Sequence, residues 1–261
     1  MGDQPFAKKS LGQHWLYDEA SLQAMCIAAD VRNTDIILEI GPGLGTLTKL
    51  LVQQAKQVIA VEFDKKLAAG LPKKIPAGNL SVIQQDILSF DFTSLPPNYK
   101  IVANIPYYLT SHLIQVISET PSLPQTAVLL VQKEVAQRVA ARPGDMSLLS
   151  VTAQFYWQVS VGLEVPARLF TPPPKVDSQI LVLERLPMPR LPESQAKDFF
   201  RLVKAGFSQR RKTLLNSLSA GLQRSRDEVM AICSAASIDP SRRPQTLSLD
   251  EWQALYQALH A

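Results

Sequence analysis

Short β-rich runs separated by helical stretches recur through the first two-thirds of the chain, and this alternation constrains the fold more than any other feature. The runs are IILEI (36–40), VIAVE (58–62), LSVIQ (80–84), KIVAN (100–104) and AVLLVQ (127–132). Strands that alternate with helices predict a parallel sheet covered by helices. Two further runs, FYWQVSVGLEV (155–165) and SQILVLERL (178–186), extend the series. The predicted fold class is α/β: an open, doubly wound, mostly parallel seven-stranded sheet that ends in a hairpin-like pair.

The pattern then changes. LPMPRLPESQ (186–195) carries three prolines and reads as a linker. A boundary near residue 187 divides the chain into a domain over 1–186 and a small all-α domain over 187–261. Phe199, Phe200, Val203 and Phe207 are spaced for one helical face. If one helix runs from Ala196 through Gly206 to Leu218, then Phe200, Val203, Phe207, Leu214 and Leu218 turn inward. Arg201, Lys204, Arg211 and Lys212 fall in one adjoining sector. Arg210 points toward the apolar side and is expected to make a buried ion pair or a domain-interface contact rather than an RNA contact. A break near Gly206 would scramble this phase.

Charge sets the class of partner. Net charge is only +4, yet residues 201–226 hold seven basic residues and no acidic one. Such a block fits either a polyanion such as nucleic acid or a solvated helix face. No run of about 18 apolar residues suggests a membrane span. The beginning of the chain, MGDQPFAKKSLGQHWL, lacks an apolar signal core, and a cytoplasmic location is expected. Cys26 and Cys233 lie far apart in helix-like segments and are expected to be buried and unpaired. His14, His112 and His260 share no ligand spacing, so no metal site is expected.

The strand ends carry the chemistry. LEIGPGLGTLT (38–48) runs strand, glycine-rich turn, helix. Its G-x-G-x-G spacing around Gly41 differs from the dinucleotide fingerprint, and alone it also fits an ordinary strand-to-helix turn. Glu62 stands at the end of the next strand, where a carboxylate can accept both hydroxyl protons of a ribose. Asp86 stands at the end of the third, where an acceptor could meet an adenine amino group. No phosphate-cradling motif is present, and Glu39 beside the turn would repel a pyrophosphate. An uncharged or cationic nucleoside fits this electrostatics, and S-adenosylmethionine fits it better than NAD.

With such a donor, VANIPYYLTS (102–111) becomes intelligible. An exocyclic adenine amine is a poor nucleophile because its lone pair is delocalised into the ring. The Asn104 side-chain oxygen and the Ile105 carbonyl can grip its hydrogens and favour the tetrahedral nitrogen that develops. Pro106 fixes the turn that aims the carbonyl. Tyr107 offers a face for a flipped base to stack on.

These motifs together resemble the rRNA adenine N6-dimethyltransferase family, the small-subunit enzymes linked to kasugamycin sensitivity. KKSLGQHWL (8–16) resembles its N-terminal box. LEIGPGLGTLT, VEFD, QQDIL and NIPYYLTS resemble its cofactor and catalytic motifs in order, VPARLFTPPPKVDSQILVLER (165–185) its F-x-P-x-P-x-V-x-S segment, and FSQRRKTLLNSL (207–218) its helical signature. The resemblance implies a class I methyltransferase sheet with donor contacts at His14, Leu16, Gly41, Glu62, Asp86 and Asn104. It implies base stacking at Tyr107, with Phe170 opposite. It implies transfer of four methyl groups to two adjacent adenosines near the 3′ end of small-subunit rRNA, in an immature 30S particle, by a monomer. The chain departs from the family at His14, where Asn is usual, at Ile105, where Leu is frequent, and in a short 141–150 loop. Two alternatives remain: a large-subunit rRNA adenine N6-methyltransferase of the macrolide-resistance type, and a non-catalytic rRNA-binding assembly factor.

Overall fold

The computed structural model describes residues 13–209 and 211–261. In chain order it contains β1 (Trp15–Leu16), α1 (Glu19–Ala28), β2 (Ile36–Ile40), α2 (Thr46–Gln54), β3 (Gln57–Glu62), α3 (Lys65–Lys74) and β4 (Leu80–Gln84). Next come β5 (Lys100–Asn104), α4 (Thr110–Glu119), β6 (Thr126–Gln132), α5 (Lys133–Val139), α6 (Leu148–Tyr156), β7 (Trp157–Val165), β8 (Phe170–Thr171) and β9 (Ser178–Arg185). Four helices follow: α7 (Glu193–Phe207), α8 (Leu214–Leu222), α9 (Arg226–Ala235) and α10 (Leu249–Leu259).

Seven strands form one sheet in the order β4-β3-β2-β5-β6-β9-β7. The pairs among β4, β3, β2, β5 and β6 are parallel, and β9 runs antiparallel to β6. The central strands are apolar on both faces, as helices on both sides require. Ile37, Ile101, Val102 and Val128 are fully buried. The chain leaves β2 toward β3 on one side and returns in β5 on the other. The β2/β5 junction is therefore the switch point where open α/β sheets bind ligands. At the opposite end of β5, the buried Lys100 ammonium donates to Asp35 Oδ2 at 2.8 Å and to the Asp30 carbonyl at 2.7 Å. Charge at that end is consumed by structure.

Two compact units result, Met1–Ala136 with Gln158–Arg185 and Gln137–Trp157 with Leu186–Ala261. The single cut expected near residue 187 is corrected here, because Gln137–Trp157 joins the helical unit. The reason is apolar. Phe155 of α6 stacks on Phe199 at 4.8 Å and meets Phe200 edge-on at 5.0 Å, within a core that includes Val151, Leu214 and Trp252. Phe155 and Tyr156, expected in a strand, lie in α6. The short 141–150 loop is tied to this unit by Gly144 and Met146, whose N–H groups both donate to the Gln245 carbonyl.

The long helix expected from Ala196 to Leu218 is two helices. The break falls after Phe207, not at Gly206, which is helical and has no room for a Cβ against the Trp252 ring. α8 starts anew at Thr213, whose hydroxyl caps it. Its first N–H groups are taken by tertiary partners: Leu214 donates to the Arg242 carbonyl at 2.7 Å and Leu215 to that of Pro240 at 3.0 Å. Orphan donors satisfied in this way do not need the preceding turn. Arg201 and Lys204 are exposed on α7, while Arg211 and Lys212 are exposed in the connecting turn and share no helical face with them. Arg210, expected in an ion pair or at a domain interface, lies outside the described residues. Cys26 and Cys233 are buried and free. No helix among the described residues is long and apolar enough to cross a membrane.

Candidate active site

The turn after β2 builds the floor of the site. Gly43 has φ +57°, and a Cβ on it would lie 2.5 Å from the Trp15 ring. No other residue fits there without displacing that ring. The Gly43 N–H donates to Glu62 Oε2 at 3.0 Å, and the Asp64 N–H donates to Glu62 Oε1 at 2.8 Å. Glu62 is thereby held buried at the end of β3, with a lone pair left on each oxygen for a further donor. Asp86 follows β4 and accepts from the Leu88 N–H at 3.0 Å, which fixes its orientation while leaving it exposed.

Glu39, in β2, is only 1% exposed, and its Oε2 has no hydrogen-bond partner. Burial pushes its carboxyl up from 4.5 to about 8. Burial also raises Glu62, against the backbone N–H groups of Asp64, Gly43 and Phe63, which lower it. A carboxyl raised on folding binds a proton that the unfolded chain has released. The ligand-free protein is therefore expected to lose stability as pH rises from about 5 to about 8, by up to about 1.4 kcal/mol per unit from Glu39. Urea melts at pH 6 and pH 8 check this. Glu39→Gln should narrow the difference between the two midpoints, and an unchanged difference would exclude Glu39 as its source.

The catalytic stretch closes the other side. Asn104 ends β5, and its side chain makes no hydrogen bond to any described residue, so the amide is free to engage a ligand. Ile105 is buried, and the chain turns at Pro106, whose carbonyl accepts from the Leu109 N–H at 3.0 Å. The Tyr107 hydroxyl bonds Ser178 Oγ, the first residue of β9, at 2.7 Å. Burial raises its pKa. That bond fixes the ring and leaves a half-buried face over the cavity.

The edge is a two-stranded sheet in which Trp15 and Leu16 pair with Thr171 and Phe170. It brings His14 against Tyr107, with ring centroids 5.8 Å apart and planes at 23°. His14 Nδ1 lies 2.7 Å from the Pro172 carbonyl. A carbonyl only accepts, so Nδ1 carries the hydrogen. Phe170 is 3% exposed and packs beside Leu16, which makes Tyr107 the more open ring.

One pocket is lined by His14, Leu16, Gly41, Glu62, Asp86, Asn104, Ile105, Pro106, Tyr107 and Phe170. The structure thus brings together every residue that the sequence assigned to donor and base. Arg201, Lys204, Arg211 and Lys212 belong to the helical unit. Sequence reasoning missed Trp15, which shapes the glycine turn, and Ser178, which anchors Tyr107. The latter could have been found as the serine that closes the F-x-P-x-P-x-V-x-S segment.

A glycine-lined floor at the switch point, acids at successive strand ends and an Asn-Ile-Pro-Tyr rim define a methyltransferase of the class I sheet type. Comparisons narrow the class. Residues 6–256 match the family described as Ribosomal RNA adenine dimethylase, and the chain belongs to that family. A Ribosomal RNA small subunit methyltransferase A of Dehalococcoides mccartyi is 43% identical over 254 residues, covering 95% of this chain and 87% of the relative. The 23S rRNA methyltransferase ErmE superposes with a TM-score of 0.76 at 29% identity, covering 95% of this chain and 100% of that one. A dimethyladenosine transferase from Plasmodium falciparum gives a TM-score of 0.77 at 27% identity, covering 93% and 96%.

Proposed function

We propose that this enzyme transfers methyl groups from S-adenosylmethionine to N6 of two adjacent adenosines near the 3′ end of small-subunit rRNA, in an immature 30S particle. The observation that carries this reading is the free Asn104 amide beside the Tyr107 ring, in one pocket with the buried Glu62. The fit to the donor rests on charge and space. Glu62 and Asp86 offer acceptors, and a cationic ligand beside Glu39 would draw its buried carboxyl back toward the ionised form. When bound, S-adenosylmethionine supplies a methyl group on a positively charged sulfur.

The residues of this chain do the rest. Glu62 accepts from the ribose hydroxyls with its spare lone pairs, and Asp86 accepts from the donor's adenine amine. Leu16 and Gly41 form walls of the donor site, with His14 at its edge. Tyr107 stacks the target base, and Phe170 backs it from the opposite side. Asn104 Oδ1 and the Ile105 carbonyl hold the hydrogens of the target amine as charge develops on its nitrogen. Alignment in a preformed pocket supplies a further part of the acceleration.

The 43% identity to a small-subunit enzyme over 95% of this chain favours the small-subunit substrate. Offering undermethylated 30S particles and large-subunit rRNA side by side, with labelled donor, tests this. Label confined to the small subunit is expected, and label confined to the large one would reverse the assignment.

Arg201, Lys204, Arg211 and Lys212 supply the phosphate contacts in this reading, since all four are exposed and residues 201–226 hold no acid, although Arg201 also lies 3.8 Å from Asp198 on α7. Replacing Arg211 and Lys212 together with Gln is expected to reduce the magnitude of the salt slope of RNA binding by about one unit or more. Thermal stability should not change, because both side chains stand in an exposed turn. A filter-binding titration across salt concentrations reads the slope, and an unaltered slope would remove both residues from the interface.

A further inference from the structure

Tyr108 has no role in the chemistry above, yet its ring is 67% exposed at the mouth of the same pocket. It makes no hydrogen bond or ring contact with any described residue. Other exposed large hydrophobic residues, such as Ile27, Met188 and Met230, do not line the cavity. Phe63 is exposed and does line it, but it follows Glu62 on the donor side. Tyr108 follows Tyr107 on the side of the target base.

The local backbone makes the pair directional. Tyr107–Leu109 is one turn of 3₁₀ helix, closed by the Leu109 N–H to the Pro106 carbonyl. Successive side chains in such a turn diverge by about 120°. The first ring faces inward and is tied to Ser178, while the second faces solvent. A base drawn into the cavity over Tyr107 leaves its neighbour in the strand unstacked at the mouth. Aromatic side chains hold single-stranded RNA by stacking such bases.

We propose that Tyr108 is the platform for the base adjacent to the target, so that one adenosine rests on its ring while the other is in the cavity. This rests on the functional reading above. The platform determines substrate capture and keeps the half-modified pair at the mouth between transfers.

The full chain with Tyr108→Ala, Tyr108→Phe and Tyr108→Trp tests the proposal on undermethylated 30S particles. Tyr108→Ala is expected to raise KM for the particle about tenfold, with donor binding by calorimetry and melting temperature unchanged. Phe and Trp should keep KM within about twofold, because the ring and not the hydroxyl does the stacking. Particles reconstituted with 2-aminopurine beside the target adenosine give a direct reading. Its fluorescence should be quenched on binding the wild type and stay bright with Tyr108→Ala. Equal KM and equal quenching in wild type and Tyr108→Ala would overturn the proposal, as would a Phe variant as defective as Ala. If the wild type itself transfers no methyl group to the particles, the functional reading falls. The fluorescence arm still decides the stacking, because it needs binding and no turnover.

Discussion

Asn104→Ala is expected to lower the single-turnover methylation rate by about 10²-fold or more, while RNA affinity changes little. The Asn104 amide carries no structural hydrogen bond among the described residues, so its loss leaves no partner stranded. Its oxygen gains most from the target amine when that nitrogen becomes tetrahedral and its hydrogens more acidic, so the deficit belongs to the chemical step. Because β5 is held by parallel pairing on both sides, the variant should keep its fold. Rapid-quench rates at saturating donor and RNA make the comparison. A rate within threefold of wild type would take Asn104 out of the chemistry.

Glu62→Ala is expected to weaken donor binding at least tenfold, about 1.4 kcal/mol. Here the side chain has two tasks. It offers lone pairs to the ribose, and it also receives the Gly43 and Asp64 N–H groups that shape the floor of the pocket. Glu62→Gln separates them. An amide keeps one acceptor oxygen but presents hydrogens from the other atom, opposing one of the two backbone donors. Both variants should therefore bind the donor more weakly, with Ala the more impaired. Titration calorimetry on the folded variants measures this, and unchanged affinity for Ala would refute the ribose assignment.

Much of the first unit was legible because its signals are local. Each of β2 to β6 is an apolar run of five to seven residues, long enough to declare itself. Glu62, Asp86 and Asn104 stand at strand ends, where chain order alone predicts convergence once the sheet is parallel. What escaped the sequence depends on tertiary partners. β1 and β8 have two residues each, too few for any period, and they exist because Trp15 and Leu16 find Thr171 and Phe170. The break before α8 reflects carbonyls of Pro240 and Arg242, more than twenty positions downstream. Residues 137–157 read as part of the sheet region until Phe155 is seen against Phe199 and Phe200. The stacking of His14 on Tyr107 follows from the same β1–β8 pairing, so a motif comparison registers His14 only as a departure.

This pocket is expected to dimethylate N6 of two neighbouring adenosines. Mass spectrometry of rRNA from undermethylated 30S particles, after incubation with the purified protein and S-adenosylmethionine, tests it most directly. N6,N6-dimethyladenosine is expected at two adjacent positions near the 3′ end of the small-subunit rRNA, and none after incubation with Asn104→Ala over the same time. Methyl groups on another base or ring position, or wild-type protein that binds the donor and leaves those adenosines unmodified, would contradict it.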